Sequence, residues 1–335
     1  FGYTGVYDSG YYESFLRWCR ENYGWEFPQE ELCFSPGIIP ALYQLVETLC
    51  APDEKVLINT PAYGYFLHAA EYNNVNVLLS PLKRGDDGHF TVDYEDFEAR
   101  CADPKCKVVF WCNPHNPTGR VWTEEELRRV AEIVSRYNLW LISDEIHCDL
   151  TRTGVTHIPM AKVMPGYRKL ITCMAPTKTF NMAGLAFSNI IIRDPATRAE
   201  FRDRDKLFGM VNTLSLTAAK AAYDLGGPWL AELRAYLDGN FAFVHDFLAR
   251  ELPEAVSYVP QATYLAWVDL SRCLPGLEDL PGFFANEAGV LLEGGDGLFV
   301  GNAAGYVRLN LAMPRATLET GLERMRDAIR RYNEK

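Results

Sequence analysis

Six short apolar segments recur through the first two-thirds of the chain, and helical periodicity fills the intervals between them. They are Lys55–Thr60, Val75–Ser80, Lys107–Cys112, Leu139–Asp144, Lys169–Met174 and Phe187–Ile192. Each has the length of a buried strand, and several are rich in Val and Ile, as strands covered on both faces should be. Between the third and fourth, Thr123 and Glu126 predict a capping box, and Leu127, Val130, Ile133, Val134 and Tyr137 make one apolar stripe. Strand, helix, strand in alternation predicts a parallel α/β fold.

From about residue 196 the alternation gives way to long helical patterns, Leu214–Leu225 and Trp229–Glu251. Strand-like pieces at Tyr264–Leu270 and Val307–Leu311 and a closing helix from Thr317 follow, predicting a smaller α+β domain. With 335 residues, two domains are expected, residues 30–225 and 226–335. Gly226-Gly227-Pro228 reads equally as a hinge or a helix break. The glycine-rich stretch Gly294–Gly305 is expected to be a loop.

Thirty-three basic against 44 acidic side chains give a net charge of −11, which disfavours nucleic acid and anionic membranes as partners. The nine cysteines are odd in number, scattered and without a C-x-x-C pair, the usage expected of reduced thiols in a cytoplasmic protein. No run of 18 apolar residues and no signal-peptide pattern occurs. The chain opens at Phe1 without methionine, and its start is expected to be incomplete. G-x-G-x-x-G, G-x-x-x-x-G-K-[ST] and H-E-x-x-H are all absent from the sequence, and no metal site is expected.

Four polar features fall at strand ends, where loops of an open α/β sheet line the ligand crevice. Asn113-Pro114-His115-Asn116-Pro117-Thr118-Gly119 is a rigid turn that presents Asn116. Ser143-Asp144-Glu145-Ile146-His147 closes an apolar run with a carboxylate, costly to desolvate unless a cation meets it. Ala175-Pro176-Thr177-Lys178-Thr179-Phe180-Asn181 places a lysine where burial can lower its pKa for Schiff-base chemistry. Tyr306-Val307-Arg308-Leu309-Asn310 puts a guanidinium inside an apolar strand, its fork suited to a substrate carboxylate. Taken singly, each is more often a turn, a helix cap, a surface lysine or a structural ion pair. Together they match one chemistry, that of pyridoxal 5'-phosphate acting on an amino acid.

In order and rough spacing these motifs resemble the fold type I pyridoxal-phosphate enzymes, aminotransferase class I/II, across essentially the whole chain. S-D-E-I-H-C-D-L, A-P-T-K-T-F-N-M-A-G-L and V-R-L-N-L-A-M-P-R are similar to the cystathionine β-lyase (C–S lyase) branch, and His147 stands where typical aminotransferases carry tyrosine. The resemblance implies a mainly parallel central sheet flanked by helices, a smaller α+β C-terminal domain, and an N-terminal segment, residues 1–29, in contact with the dimer and the active site. It implies that Lys178 forms the Schiff base and removes the α-proton, Asp144 pairs with the ring nitrogen, and Asn116 and His147 hydrogen-bond the ring oxygen. Tyr63 would stack on the ring, and Gly37, Ile38 and Ile39 would offer helix N-terminal amides to the phosphate, with Thr177 adding a hydroxyl. Arg308, with Asn116, would bind the substrate carboxylate, and Tyr3 would reach the phosphate of the partner subunit in a homodimer.

One position departs from the pattern. Many family members carry a phosphate-binding arginine eight residues past the lysine, where this chain has Ala186. The expected reaction is α,β-elimination of L-cystathionine or related cysteine S-conjugates to pyruvate, ammonia and a thiol. A class I/II aminotransferase is the alternative, and a pyridoxal-phosphate-binding regulatory protein with little turnover is a second.

Overall fold

The structure is a computed structural model that describes residue 5 and residues 9–205, 211–295 and 298–334, with Asp205 by its backbone alone. A seven-stranded sheet is built from β1 (Leu32–Ser35), β2 (Lys55–Thr60), β3 (Asn76–Pro81), β4 (Cys106–Cys112), β5 (Trp140–Asp144), β6 (Leu170–Met174) and β7 (Ser188–Ile192). Their spatial order is β1-β7-β6-β5-β4-β2-β3. The pairs from β6 through β3 are parallel, whereas β7 runs antiparallel to both β6 and β1. The expected segments are therefore all strands, but Phe187–Ile192 enters the sheet reversed. The edge strand β1, antiparallel to β7, is not announced by periodicity alone, because Leu32–Ser35 is only four residues long.

Alternate residues of the central strands enter two different cores. On β4, Val108 and Phe110 pack with Leu42, Leu45, Phe66 and Ala69, while Val109 and Trp111 pack on the other face with Trp122, Leu127 and Val130. A sheet buried on both faces needs apolar residues at every position, which is why these strands read as continuous runs. The predicted helix is Glu124–Arg136. Thr123 Oγ1 accepts from the Glu126 N–H at 3.2 Å, and Glu126 Oε2 accepts from the Thr123 N–H at 2.8 Å. Tyr137, placed by its spacing in the stripe, caps the C-terminus of this helix.

Beyond β7 lie helices Pro195–Asp205, Thr213–Leu225 and Gly227–Glu251, then a three-stranded antiparallel sheet of β8 (Leu265–Asp269), β9 (Glu293–Gly294) and β10 (Tyr306–Asn310), ordered β8-β10-β9. Helix Arg315–Asn333 closes the described chain and packs its Leu318, Leu322, Met325 and Ile329 into a third core with Phe241, Val268 and Leu309. Gly226 ends one helix, its N–H donating to Ala222 O at 2.8 Å, and its own carbonyl accepts from Leu230 in the next. The Gly-Gly-Pro junction is thus a helix-to-helix break.

The glycine-rich stretch departs from its expectation as a loop. Gly294 pairs with Val307 in the small sheet, and Phe299–Val300 pairs antiparallel with Ala62–Tyr63. A Cβ on Gly294 would lie 2.6 Å from Tyr306 O, so the glycine that reads as loop composition is what lets two backbones meet. Gly119 is under a stronger constraint still. Its φ is +67°, and an added Cβ would stand 2.3 Å from Pro260 Cβ and 3.0 Å from Ala262 O. Gly119→Ala is expected to destabilise the fold by about 2–4 kcal/mol through backbone strain and overlap, measured as a shift in denaturant midpoint against the parent.

Candidate active site

The carboxyl ends of the parallel strands open onto one cavity of about 1160 Å³. β2 leads through Pro61 to Tyr63, β4 leads through the Asn113–Gly119 turn to Asn116, and β5 ends on Asp144 itself, with His147 in the turn that follows. β6 leads into the short helix Pro176–Thr179, which carries Lys178. Ile38 and Ile39 open helix Ile38–Leu49 at the same end of the sheet, and Arg308 projects from β10. All eight line the cavity.

Gly37 and Thr177 flank the cavity lining without belonging to it: Gly37 caps the helix that Ile38 begins, and Thr177 is half-buried beside Lys178. Tyr3 lies outside the described residues. Ala186, eight residues past Lys178, has φ +47° and closes the 3-10 turn Ala183–Leu185.

The electrostatics of the cavity are those of charges taken out of water. Burial raises the Asp144 carboxyl to about 7, opposed by the Ile146 N–H, which donates to Oδ1 at 3.1 Å. The adjacent Glu145 adds to the rise and Lys178 opposes it. His147 is lowered to about 3 by burial, then by the nearby charges of Lys178 and Arg308, so its ring is neutral. The Lys178 amine is lowered by burial and by Arg308, with Asp144 and Glu293 acting in the other sense. An amine held below its ordinary range loses its proton more readily near neutrality, the condition for nucleophilic or base chemistry.

Arg308 is buried and tied at every face. Nη1 donates to Asn116 Oδ1 at 2.8 Å, Nε donates to Glu293 Oε2 at 3.0 Å, and Nη2 bonds the same oxygen. The Phe299 ring lies 4.9 Å from the guanidinium carbon and that of Tyr63 5.9 Å.

A layer beneath the cavity fixes these side chains. Glu145 accepts from Ser143 Oγ at 2.9 Å and the Met160 N–H at 2.9 Å, and meets His157 Nε2 at 2.7 Å. Asp149 accepts from Trp18 Nε1 at 2.9 Å, from Thr179 Oγ1 at 2.8 Å and from Tyr23, tying the N-terminal helix Tyr11–Tyr23 to the residue after Lys178.

Tyr264 and Glu293 are among the cavity-wall residues that sequence reasoning missed. Tyr264 precedes β8 and its ring faces His147 edge-on, 6.1 Å between centroids. Only the strand-like run around Tyr264 marked it, and Glu293 was hidden at the head of the glycine-rich stretch.

Pyridoxal phosphate fits what is present. Among the described residues, the buried Nδ1 of His147 has no hydrogen-bond partner, and Asp144 holds a desolvated carboxyl that a protonated ring nitrogen would complement. The first-turn amides of helix Ile38–Leu49 are free of intrahelical partners by construction and suit a phosphate. Among the described residues no cluster of His, Cys, Asp and Glu could hold a metal ion.

The sequence matches the family described as aminotransferase class I and II over residues 12–325. The chain belongs to that family. Within the aminotransferase class I and II family it is 38% identical over 335 residues to cystathionine beta-lyase PatB of Bacillus subtilis, covering 98% of this chain and 85% of the relative. Protein MalY of Escherichia coli is 33% identical over 347 residues, covering 98% and 84%. Among solved structures, the PLP-bound C-S lyase from Staphylococcus hominis superposes with a TM-score of 0.95 at 45% identity, covering 98% of this chain and 84% of that one. The central sheet of mainly parallel strands flanked by helices is the fold type I arrangement that the motifs implied.

Proposed function

We propose that this chain is a pyridoxal-phosphate-dependent carbon–sulfur lyase that converts L-cystathionine or related cysteine S-conjugates to pyruvate, ammonia and a thiol. The observation that carries the reading is the likeness, over 98% of the chain, to proteins named for carbon–sulfur lysis. The cavity supports it with an amine, a carboxyl and a guanidinium on converging elements.

When bound, pyridoxal phosphate supplies an electron sink that stabilises negative charge at the substrate's α-carbon. Arg308, oriented by Asn116, binds the α-carboxylate and fixes which bond at Cα faces Lys178. Lys178 Nζ takes the α-proton, with burial and the Arg308 charge easing the loss of its own proton. The C–S bond then breaks with its electron pair passing to sulfur, which leaves as the thiol, and water hydrolyses the three-carbon remainder to pyruvate and ammonia. Asp144, itself buried, would hold a proton at the ring nitrogen. Neutral His147 and Asn116 would hydrogen-bond the ring oxygen, Tyr63 would cover the ring, and Gly37, Ile38, Ile39 and Thr177 would hold the phosphate without help from an arginine at position 186.

The protein works as a cytoplasmic homodimer. All nine cysteines are free and, Cys50 aside, buried, which supports a reducing compartment. Among the described residues no helix is long and apolar enough to cross a membrane. Residues 30–225 form the large cofactor-binding domain and 226–335 the small one, a division supported by the separate core around the three-stranded sheet.

A substrate comparison tests the reading. L-Cystathionine is expected to yield pyruvate, while L-aspartate with 2-oxoglutarate is expected to give amino transfer at least about 10²-fold slower, a ratio set by complementarity to one transition state. Rapid transfer with no elimination would make the protein an aminotransferase.

A further inference from the structure

The guanidinium assigned to the substrate carboxylate already holds a carboxylate. β9 and β10 place Glu293 directly opposite Arg308, so the contact is set by sheet register. One glutamate oxygen takes both Nε and Nη2, while Asn116 takes Nη1. The two partners are unequal in their surroundings: the Arg308 side chain is 8% exposed and that of Glu293 54%. One charge is fixed in the cavity wall, and the other is more than half exposed.

Resting on the lyase reading above, we infer that Glu293 is an internal occupant of the Arg308 fork, displaced when a substrate α-carboxylate docks. It thereby sets the affinity of the site for amino acids. A buried guanidinium without a counter-charge is costly, and Glu293 supplies that charge between turnovers. Because its side chain is half in water, it leaves at little cost, and the count of negative charges on Arg308 is the same before and after. Every substrate carboxylate must nevertheless compete with it. The charge of Glu293 also reaches Lys178, where it opposes the effect of Arg308.

The test uses the pyridoxal-phosphate-loaded protein and propionate, a carboxylate with no amine to react. Calorimetry would measure propionate binding to the parent, Glu293→Gln and Glu293→Ala, alongside KM and kcat for L-cystathionine. Both variants are expected to bind propionate about two- to fivefold tighter, the range spanned by exposed ion pairs. Alanine should gain more than glutamine, which keeps an acceptor of the same shape. KM should fall by a similar factor.

Unchanged propionate binding would overturn the proposal, as would weaker binding with a raised KM, which would make Glu293 a positioning residue for the guanidinium. Arg308→Ala must abolish propionate binding in every background, and binding that survives it also sinks the idea. Propionate binding requires no turnover. A parent that binds propionate and eliminates nothing would therefore count against the lyase reading while leaving the competition result readable.

Discussion

Replacing Lys178 with alanine is expected to lower elimination by at least about 10³-fold, since a positioned base alone contributes about 10²–10⁴-fold and covalent attachment adds to it. The expectation follows from where the amine sits. β6 delivers it into the cavity on a one-turn helix, with Asp144, His147 and Arg308 on the surrounding walls. Burial and the Arg308 charge lower its pKa. Lys178→Arg separates charge from proton transfer, because a guanidinium keeps the cation and does not give up its proton. It should be as inactive as alanine. Added methylamine should restore part of the rate to the alanine variant and none to the arginine variant. Pyruvate release reads all three proteins, and an alanine variant within tenfold of the parent would remove Lys178 from the reaction.

Asp144 carries the second large effect, and it appears in stability. Its folded-state pKa of about 7 lies above the ordinary 3.8, the opposite of a salt-bridged aspartate. The protonated form is favoured in the folded chain. Its contribution is therefore fully present below pH 4 and is lost as pH rises towards 7, where the unfolded chain ionises freely and the folded one resists. A gap of about three units corresponds to roughly 4 kcal/mol at full development. Cofactor-free Asp144→Asn is accordingly expected to be more stable than the parent at pH 7 by a few kcal/mol, with the difference closing by pH 4. Buried His115 and His147, both lowered to about 3, titrate alike in the two proteins and cancel from the difference. Loading with pyridoxal phosphate should reverse the order, because a ring-nitrogen proton would meet a carboxylate in the parent and only an amide in the variant. Paired denaturant melts at the two pH values, with and without cofactor, check each arm.

Much of this was legible before the structure. The central strands had to be apolar at every position because both faces are covered, so Lys55–Thr60 and Leu170–Met174 stand out as runs. The site residues follow from them, since the carboxyl end of each strand is where an open α/β sheet binds its ligand. What periodicity could not carry was direction and pairing between distant segments. β7 looks like its neighbours in composition yet runs antiparallel, and a run of apolar residues contains nothing that encodes strand sense. The glycine-rich stretch misled for a related reason. Gly294 is small because a neighbouring backbone passes close by, and composition does not distinguish that from a turn. Glu293 went unnoticed with it, since its importance lies in a cross-strand partner 15 residues away. Asp149 and Glu145 are likewise ordinary polar residues in sequence, and only folding collects Trp18, Tyr23 and Thr179 around the one and His157 around the other.

The most direct measurement supplies the loaded protein with L-cystathionine in buffer free of any keto acid and counts pyruvate and free thiol together over many turnovers. The lyase account predicts equal amounts of both, released steadily to many times the enzyme concentration. Release that stops at about one equivalent until a keto acid is added would contradict it.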